Sequence, residues 1–200
     1  MYELGNPFNI ESLRKATEKV SWLLMKRFDS LTLDQFYTRY DDRWSAWDIM
    51  HYLGGVIKPF AFRFRLPKIL LWFILSKARR HSVRYDQVKS GYLNALKKGA
   101  TPGRFIPPIY EIPDTEEEAD DIRIKDLKKF EKTFSSFQKA LAVWDNENID
   151  LYLVDSPMLG QITMRESVML ILCMCVDQLD ALEHRLEAVQ PHEREFDDDM

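Results

Sequence analysis

Apolar residues recur along this chain at steps of three and four, with polar residues filling the intervals, over four long stretches. Ile10, Leu13, Val20, Leu24 and Phe28 form the first stripe, and Glu11, Arg14, Lys15, Glu18 and Lys19 lie on the opposite side. This periodicity predicts an amphipathic helix over residues 10–28. Ile49, Leu53, Val56, Phe60 and Phe64 form the second stripe. Ser45 suits its N-cap, Asp48 can return a hydrogen bond, and Trp44 with Ile49 makes a hydrophobic staple. Gly54-Gly55 and Pro59 fall inside this helix and are expected to weaken or bend it. The third stripe, Leu127, Phe130, Phe134, Phe137, Leu141 and Trp144, follows a start near Asp114-Thr115. There Glu116, Glu117 and Glu118 suit the positive end of the helix dipole. The fourth stripe, Val168, Ile171, Leu172, Cys175, Leu179, Leu182 and Leu186, runs to about Val189. A turn at Pro157 and Gly160 precedes it, and Thr163 with Glu166 forms the pairing that caps a helix start.

The remaining segments are less regular. Residues 31–42 and 149–159 read as connections. Pro67–Arg80 and Tyr85–Lys98 read as short helices, and prolines at 102, 107 and 108 mark turns or extended chain. Strand signals are almost absent, so the pattern predicts an all-α fold. Its expected form is a four-helix bundle in one domain over residues 1–190, with residues 65–113 as a long crossover insertion between the second and third helices. Residues 191–200 are acidic and expected to form a disordered tail.

Composition narrows the function classes. A net charge of −4 over 200 residues argues against nucleic acid as a partner, since phosphate recognition requires a basic face. Cys173 and Cys175 are the only cysteines. They project roughly 200° apart on a helix of about 3.6 residues per turn, so they are not expected to bridge each other. Without a disulfide framework the chain fits a reducing compartment. The first residues show no signal-peptide pattern. The longest apolar run, Ile69–Leu75, falls well short of the roughly 20 residues that span a bilayer. A cytoplasmic location is the expectation.

Two stretches resemble motifs of the DinB-like (DinB/YfiT-like) superfamily of bacterial four-helix bundles. The opening of the second helix reads Trp44-Ser45-Ala46-Trp47-Asp48-Ile49-Met50-His51-Tyr52-Leu53, and the entry to the fourth reads Ser156-Pro157-Met158-Leu159-Gly160-Gln161-Ile162-Thr163-Met164-Arg165-Glu166. The Thr101-Pro102 and Phe105-Ile106-Pro107 segment is similar to the family's proline-containing crossover. The resemblance implies the bundle fold and a divalent metal held by three histidines, with activities such as bacillithiol- or mycothiol-dependent thiol transfer, isomerisation or hydrolysis. Carried over by position, the three ligand sites fall on Tyr52, Met174 and Gln178. Zinc and nickel take imidazole, thiolate or carboxylate donors, so the site reads as degenerate and no metal cofactor is expected.

The leading expectation is therefore a non-metal binding or structural protein in which Tyr52, Met174 and Gln178 pack, or line a pocket, where a metal sits in relatives. A divergent metal-dependent S-transferase or hydrolase would need a relocated metal. Its candidate ligands are His51, Asp48 and Asp177, with Cys175 and His184 as further donors. His51 otherwise reads as a flank or interface residue. The stretch from Lys58 to Arg84 is basic, contains no acidic residue, and brackets the apolar run 69–75. It reads as an insertion helix packed on the bundle or on a second copy in a homodimer. A peripheral membrane or anionic-ligand surface is the lesser alternative, because seven consecutive apolar residues leave no polar face for headgroups. Asp41-Asp42 and Glu116–Glu118 read as loop and helix-start charges.

Overall fold

The computed structural model describes residues 2–40, 43–100, 107 and 115–189. Asp41 and Asp42, most of the proline-containing crossover and the acidic tail lie outside the described residues. In chain order the elements are α1 (Ile10–Asp29), α2 (Leu33–Tyr37), α3 (Ala46–Arg65), α4 (Lys68–Ile74), β1 (Ser76–Lys77), α5 (Tyr85–Lys97), α6 (Glu116–Leu141), β2 (Tyr152–Ser156), β3 (Gly160–Thr163) and α7 (Met164–Val189). The protein is thus mostly helical.

The four stripes face one core. α3 packs on α6 and α7, and α1 packs on the same two helices. Leu24, Phe28, Ile49, Phe64, Phe134, Phe137 and Leu141 are buried at their meeting. Each such side chain contributes about 1.5–3 kcal/mol on leaving water. Edge-to-face ring pairs knit the seams, Phe28 with Phe130 and Phe64 with Phe137, in the geometry that aligns ring edge with ring face.

The helix ends follow their predicted chemistry. Ser45 Oγ accepts from the Asp48 amide at 3.1 Å, and Asp48 Oδ2 accepts from the Ser45 amide at 2.9 Å. Arg39 then clamps the same carboxylate through two 2.6 Å hydrogen bonds. α3 continues unbroken through Pro59. The carbonyl that Pro59 leaves without a helix donor is that of Gly55, a residue that lines a surface groove. At the end of α6, Arg14 donates to the carbonyls of Ala142 and Trp144 at 2.6 and 2.7 Å, so a cation from α1 closes the negative end of that helix.

The departures are local and have physical causes. β2 and β3 form an antiparallel hairpin, pairing Leu153 with Thr163 through Ser156 with Gly160. Gly160 has φ +68, the left-handed conformation that glycine adopts without strain. β1 adds antiparallel to β2, giving a three-stranded sheet in the order β1-β2-β3. The helix expected over Pro67–Arg80 therefore stops at Ile74, because Ser76 and Lys77 spend their backbone groups on β2. The connection at residues 31–42 contains α2, started by a Thr32–Gln35 capping box. Of α4, only Leu71 is buried. Among the described residues, no helix is long and apolar enough to cross a membrane.

Candidate functional site

A groove runs between α3 and α6, built by residues that the helical repeat places one turn apart. On α3 these are Trp47, His51, Gly54, Gly55, Lys58, Phe62 and Arg65. On α6 they are Asp126, Lys129, Lys132, Thr133, Ser136 and Lys139. At the closed end, Trp47 Nε1 donates to Asp126 Oδ2 at 2.8 Å, and His51 Nε2 lies 3.0 Å from the same oxygen. An ionised carboxylate only accepts, so His51 presents an Nε2–H there. Burial would raise the Asp126 pKa, but the bonds from His51 and Trp47 outweigh it and hold the carboxyl below its ordinary range. The adjoining cavity of about 210 Å³ is lined by Met50, His51, the two glycines, Lys58, Asp126, Lys129, Phe130 and Thr133.

The open end is larger and of one sign. About 500 Å³ is lined by Lys58, Ala61, Phe62 and Arg65 from α3, and by Lys129, Lys132, Thr133, Ser135, Ser136 and Lys139 from α6. Lys58, Lys129 and Thr133 border both cavities, so the two lie side by side along the groove. Cations and hydroxyls line its open end without a carboxylate, beside the exposed Phe62 ring. Like charges held this close repel one another and lower the free energy of any anion that enters. The groove was missed in the sequence because its α6 side, Lys129-Lys132-Ser136-Lys139, reads as the solvated flank of the phenylalanine stripe. The signal was the matching polar row on α3, but only tertiary pairing sets the two rows face to face.

The positions that the resemblance marks for metal lie elsewhere, on the seam of α3 and α7. Tyr52 is buried with its ring against Trp44 at 4.9 Å. Burial, with Cys175 and Asp177 nearby, pushes its phenol far above the usual value. Met174 borders a small, mostly apolar space of about 20 Å³ with Val56, Phe60, Ser156, Pro157, Met158 and Leu170. Gln178 donates its amide to Asp177 at 3.4 Å. A neutral phenol, a thioether among aliphatics and an engaged amide do not fit a divalent metal.

The relocated candidates are also dispersed. Asp48 caps α3 under Arg39, and His51 faces Asp126 in the groove. Asp177 accepts from Tyr92 Oη of α5 at 2.9 Å. Burial pushes its pKa up against the lowering effect of that bond. His184 is exposed and 3.7 Å from Glu187. Burial raises Cys173 to about 11 and Cys175 higher still, so both thiols are protonated at neutral pH and poor ligands. Among the described residues, no three His, Cys, Asp or Glu side chains assemble as a metal site.

This geometry gives a direct test of the seam. Tyr52→Phe combined with Gln178→Leu removes two polar tips, and Tyr52 meets Trp44 through its ring alone. We expect a cost within about 1 kcal/mol in urea unfolding. A cost above about 3 kcal/mol would mean that a buried polar network spans the seam. No protein-family model, curated protein or solved structure matches the chain.

Proposed function

We propose that the chain is a DinB/YfiT-like four-helix bundle that works without a metal centre, as a binding protein for a multivalent small anion held in the α3–α6 groove. The observation that carries this reading is the row formed by Lys58, Arg65, Lys129, Lys132 and Lys139, lined by hydroxyls and lacking an acid. Ser135 and Ser136 offer donors that orient phosphate or carboxylate oxygens, while Thr133 spends its hydroxyl hydrogen on the Lys129 carbonyl and Phe62 offers apolar surface for an organic body. The closed end adds an imidazole whose orientation Asp126 fixes. A thiol transferase or hydrolase with a re-sited metal receives no support from the donor set.

Titration calorimetry with pyrophosphate and with citrate tests the proposal. Lys129→Glu with Lys132→Glu should weaken binding at least about tenfold, since each reversal replaces an attraction by a repulsion. Affinity should also fall steadily with added salt. A charge reversal at Lys19 on α1 serves as the control. Equal heats for the groove variant and the control, or no heat with either anion, would retire the proposal.

A further inference from the structure

We propose that α4 is a membrane-docking hook that inserts into the interface of an anionic phospholipid bilayer. This goes beyond the groove reading and rests on different residues, apart from Arg65, which borders both. α4 exposes nearly everything it carries: Ile69 is 68%, Trp72 51%, Phe73 71% and Ile74 60% accessible, and Leu70 is also exposed. Contiguous large apolar side chains of this kind are costly in water and mark a surface that is covered in use. The hook is held firmly. Leu71 is buried, Tyr152 Oη donates to the Lys68 carbonyl at 3.1 Å, and β1 immediately downstream is paired to β2. Presentation of the apolar side chains is therefore built in before any contact, which lowers the ordering cost of docking.

The rim identifies the occupant. Arg65 and Lys68 precede the apolar tip, while Lys77, Arg79 and Arg80 follow it, and all are exposed. Arg80 is paired with Glu166 and Lys68 lies 3.9 Å from Asp145, so the rim's charge rests mainly on Arg65, Lys77 and Arg79. Between Lys58 and Arg84 there is no Asp or Glu. Lys77 Nζ lies 5.5 Å from the Trp72 ring centroid, so its aliphatic stem runs beside the apolar tip while its charge stays at the edge. Next to it, Ser76, Lys77, Arg79, Arg80, Leu153 and Gln161 line a concavity of about 590 Å³, where a phosphate headgroup would meet Lys77 and Arg79 together, Arg80 being held by Glu166. An apolar tip, a tryptophan at its edge and a surrounding ring of cations are the parts of an interfacial anchor on anionic lipid.

A second copy of this chain is the competing occupant. A twofold interface would bring each cationic rim against its own image, which is repulsive, whereas anionic headgroups neutralise it. At about 1.5 Å per residue, α4 is about 10 Å long, enough for the headgroup and upper acyl region and far too short to span. The reasoning that disfavours lipid from sequence is the missing polar face. In the fold the whole tip projects and the polar edge is supplied by flanking residues instead.

Sedimentation with phosphatidylcholine vesicles, and with vesicles that also contain phosphatidylglycerol, decides the matter. The wild-type chain should bind the anionic vesicles selectively. Phe73→Ser with Ile74→Ser, and separately Lys77→Glu with Arg79→Glu, should each reduce binding at least about tenfold, with circular dichroism showing an unchanged fold. Lys129→Glu with Lys132→Glu should retain vesicle binding, which separates the hook from the groove. Undiminished binding by the Phe73/Ile74 variant would reduce the hook to a basic patch and overturn the proposal. It would equally be overturned by absent vesicle binding, with or without a concentration-dependent dimer that the Phe73/Ile74 variant dissociates.

Discussion

Arg165→Met should lower the stability of the chain by about 3 kcal/mol, the range expected when a buried ion pair loses its cation. Arg165 is 2% exposed although fully charged. Its Nε donates to Asp150 Oδ1 at 2.8 Å, Nη2 to the Asn146 carbonyl at 2.8 Å, and Nη1 to the Phe8 carbonyl at 2.5 Å. The guanidinium also lies 4.8 Å from the Phe8 ring centroid. One side chain on the first turn of α7 thus ties down the approach to α1 and the loop before β2. Asn146 Oδ1 extends the tie by accepting from the Ile10 amide at 2.8 Å. Methionine keeps the volume of the stem but leaves two carbonyls and a carboxylate without their donor. Asp150 retains some contact with water and with Ser82, which places the effect at the lower end of the range. Arg165→Lys should recover less than half, because one ammonium cannot reach three acceptors set for a planar fork. Urea unfolding of the three proteins checks this, and a loss below about 1 kcal/mol for methionine would show that water replaces the guanidinium.

What the sequence disclosed and what it withheld follow from the range of the interactions involved. The stripes of α1, α3, α6 and α7 and the caps at Ser45 and Thr163 are local, set by residues three or four apart, and all are present in the fold. The sheet was missed for a reason of length. Tyr152, Val154 and Ser156 are buried, while Leu153 and Asp155 face outward, but this alternation covers only one short strand. β1 is shorter still and exists through pairing with a segment some 75 residues away. α4 is shorter than the sequence pattern predicts because β1, just past its apolar run, commits the backbone to β2. The capping box at Thr32 and Gln35 is local, but it sits among the polar and aromatic residues of that connection and starts a helix of only five residues. The candidate groove belongs to the opposite kind. His51 carries no sequence mark of its partner, since Asp126 lies on another helix and meets it only when α3 and α6 pack.

Acidification should expose a second dependence at the start of α7, centred on Glu166. This residue is 1% exposed and accepts at both oxygens: from Arg80 at 2.5 and 2.6 Å, from the Val83 amide at 2.7 Å and from the Thr163 amide at 2.8 Å. The last bond, with the Glu166 amide donating to Thr163 Oγ1 at 3.1 Å, is the capping pair read from sequence. Arg80 and Val83 recruit the same carboxylate from the crossover, so the helix start also anchors the strand and loop that follow α4. Burial alone would raise the Glu166 pKa, yet the Arg80 and amide donors overcome it and hold the group below its ordinary value. A lowered folded-state pKa stabilises fully above the unfolded value, near 4.3. That stability is lost as pH falls through the folded-state value. Asp48 and Asp126 are shifted in the same direction by Arg39 and by His51 with Trp47, so acid should unfold the chain cooperatively below about pH 4. Glu166→Gln offers one acceptor oxygen where two were used and turns an amide N–H₂ toward other donors. We expect it to cost about 2–3 kcal/mol at neutral pH and to flatten the stability profile below about pH 5, because one of the depressed carboxylates no longer titrates. Because Glu166 fixes Arg80 beside β1, the same variant should loosen the base of α4 as well, seen as faster amide exchange across residues 76–83. A neutral-pH loss with an unchanged acid slope would place the depressed titration on Asp48 and Asp126 instead.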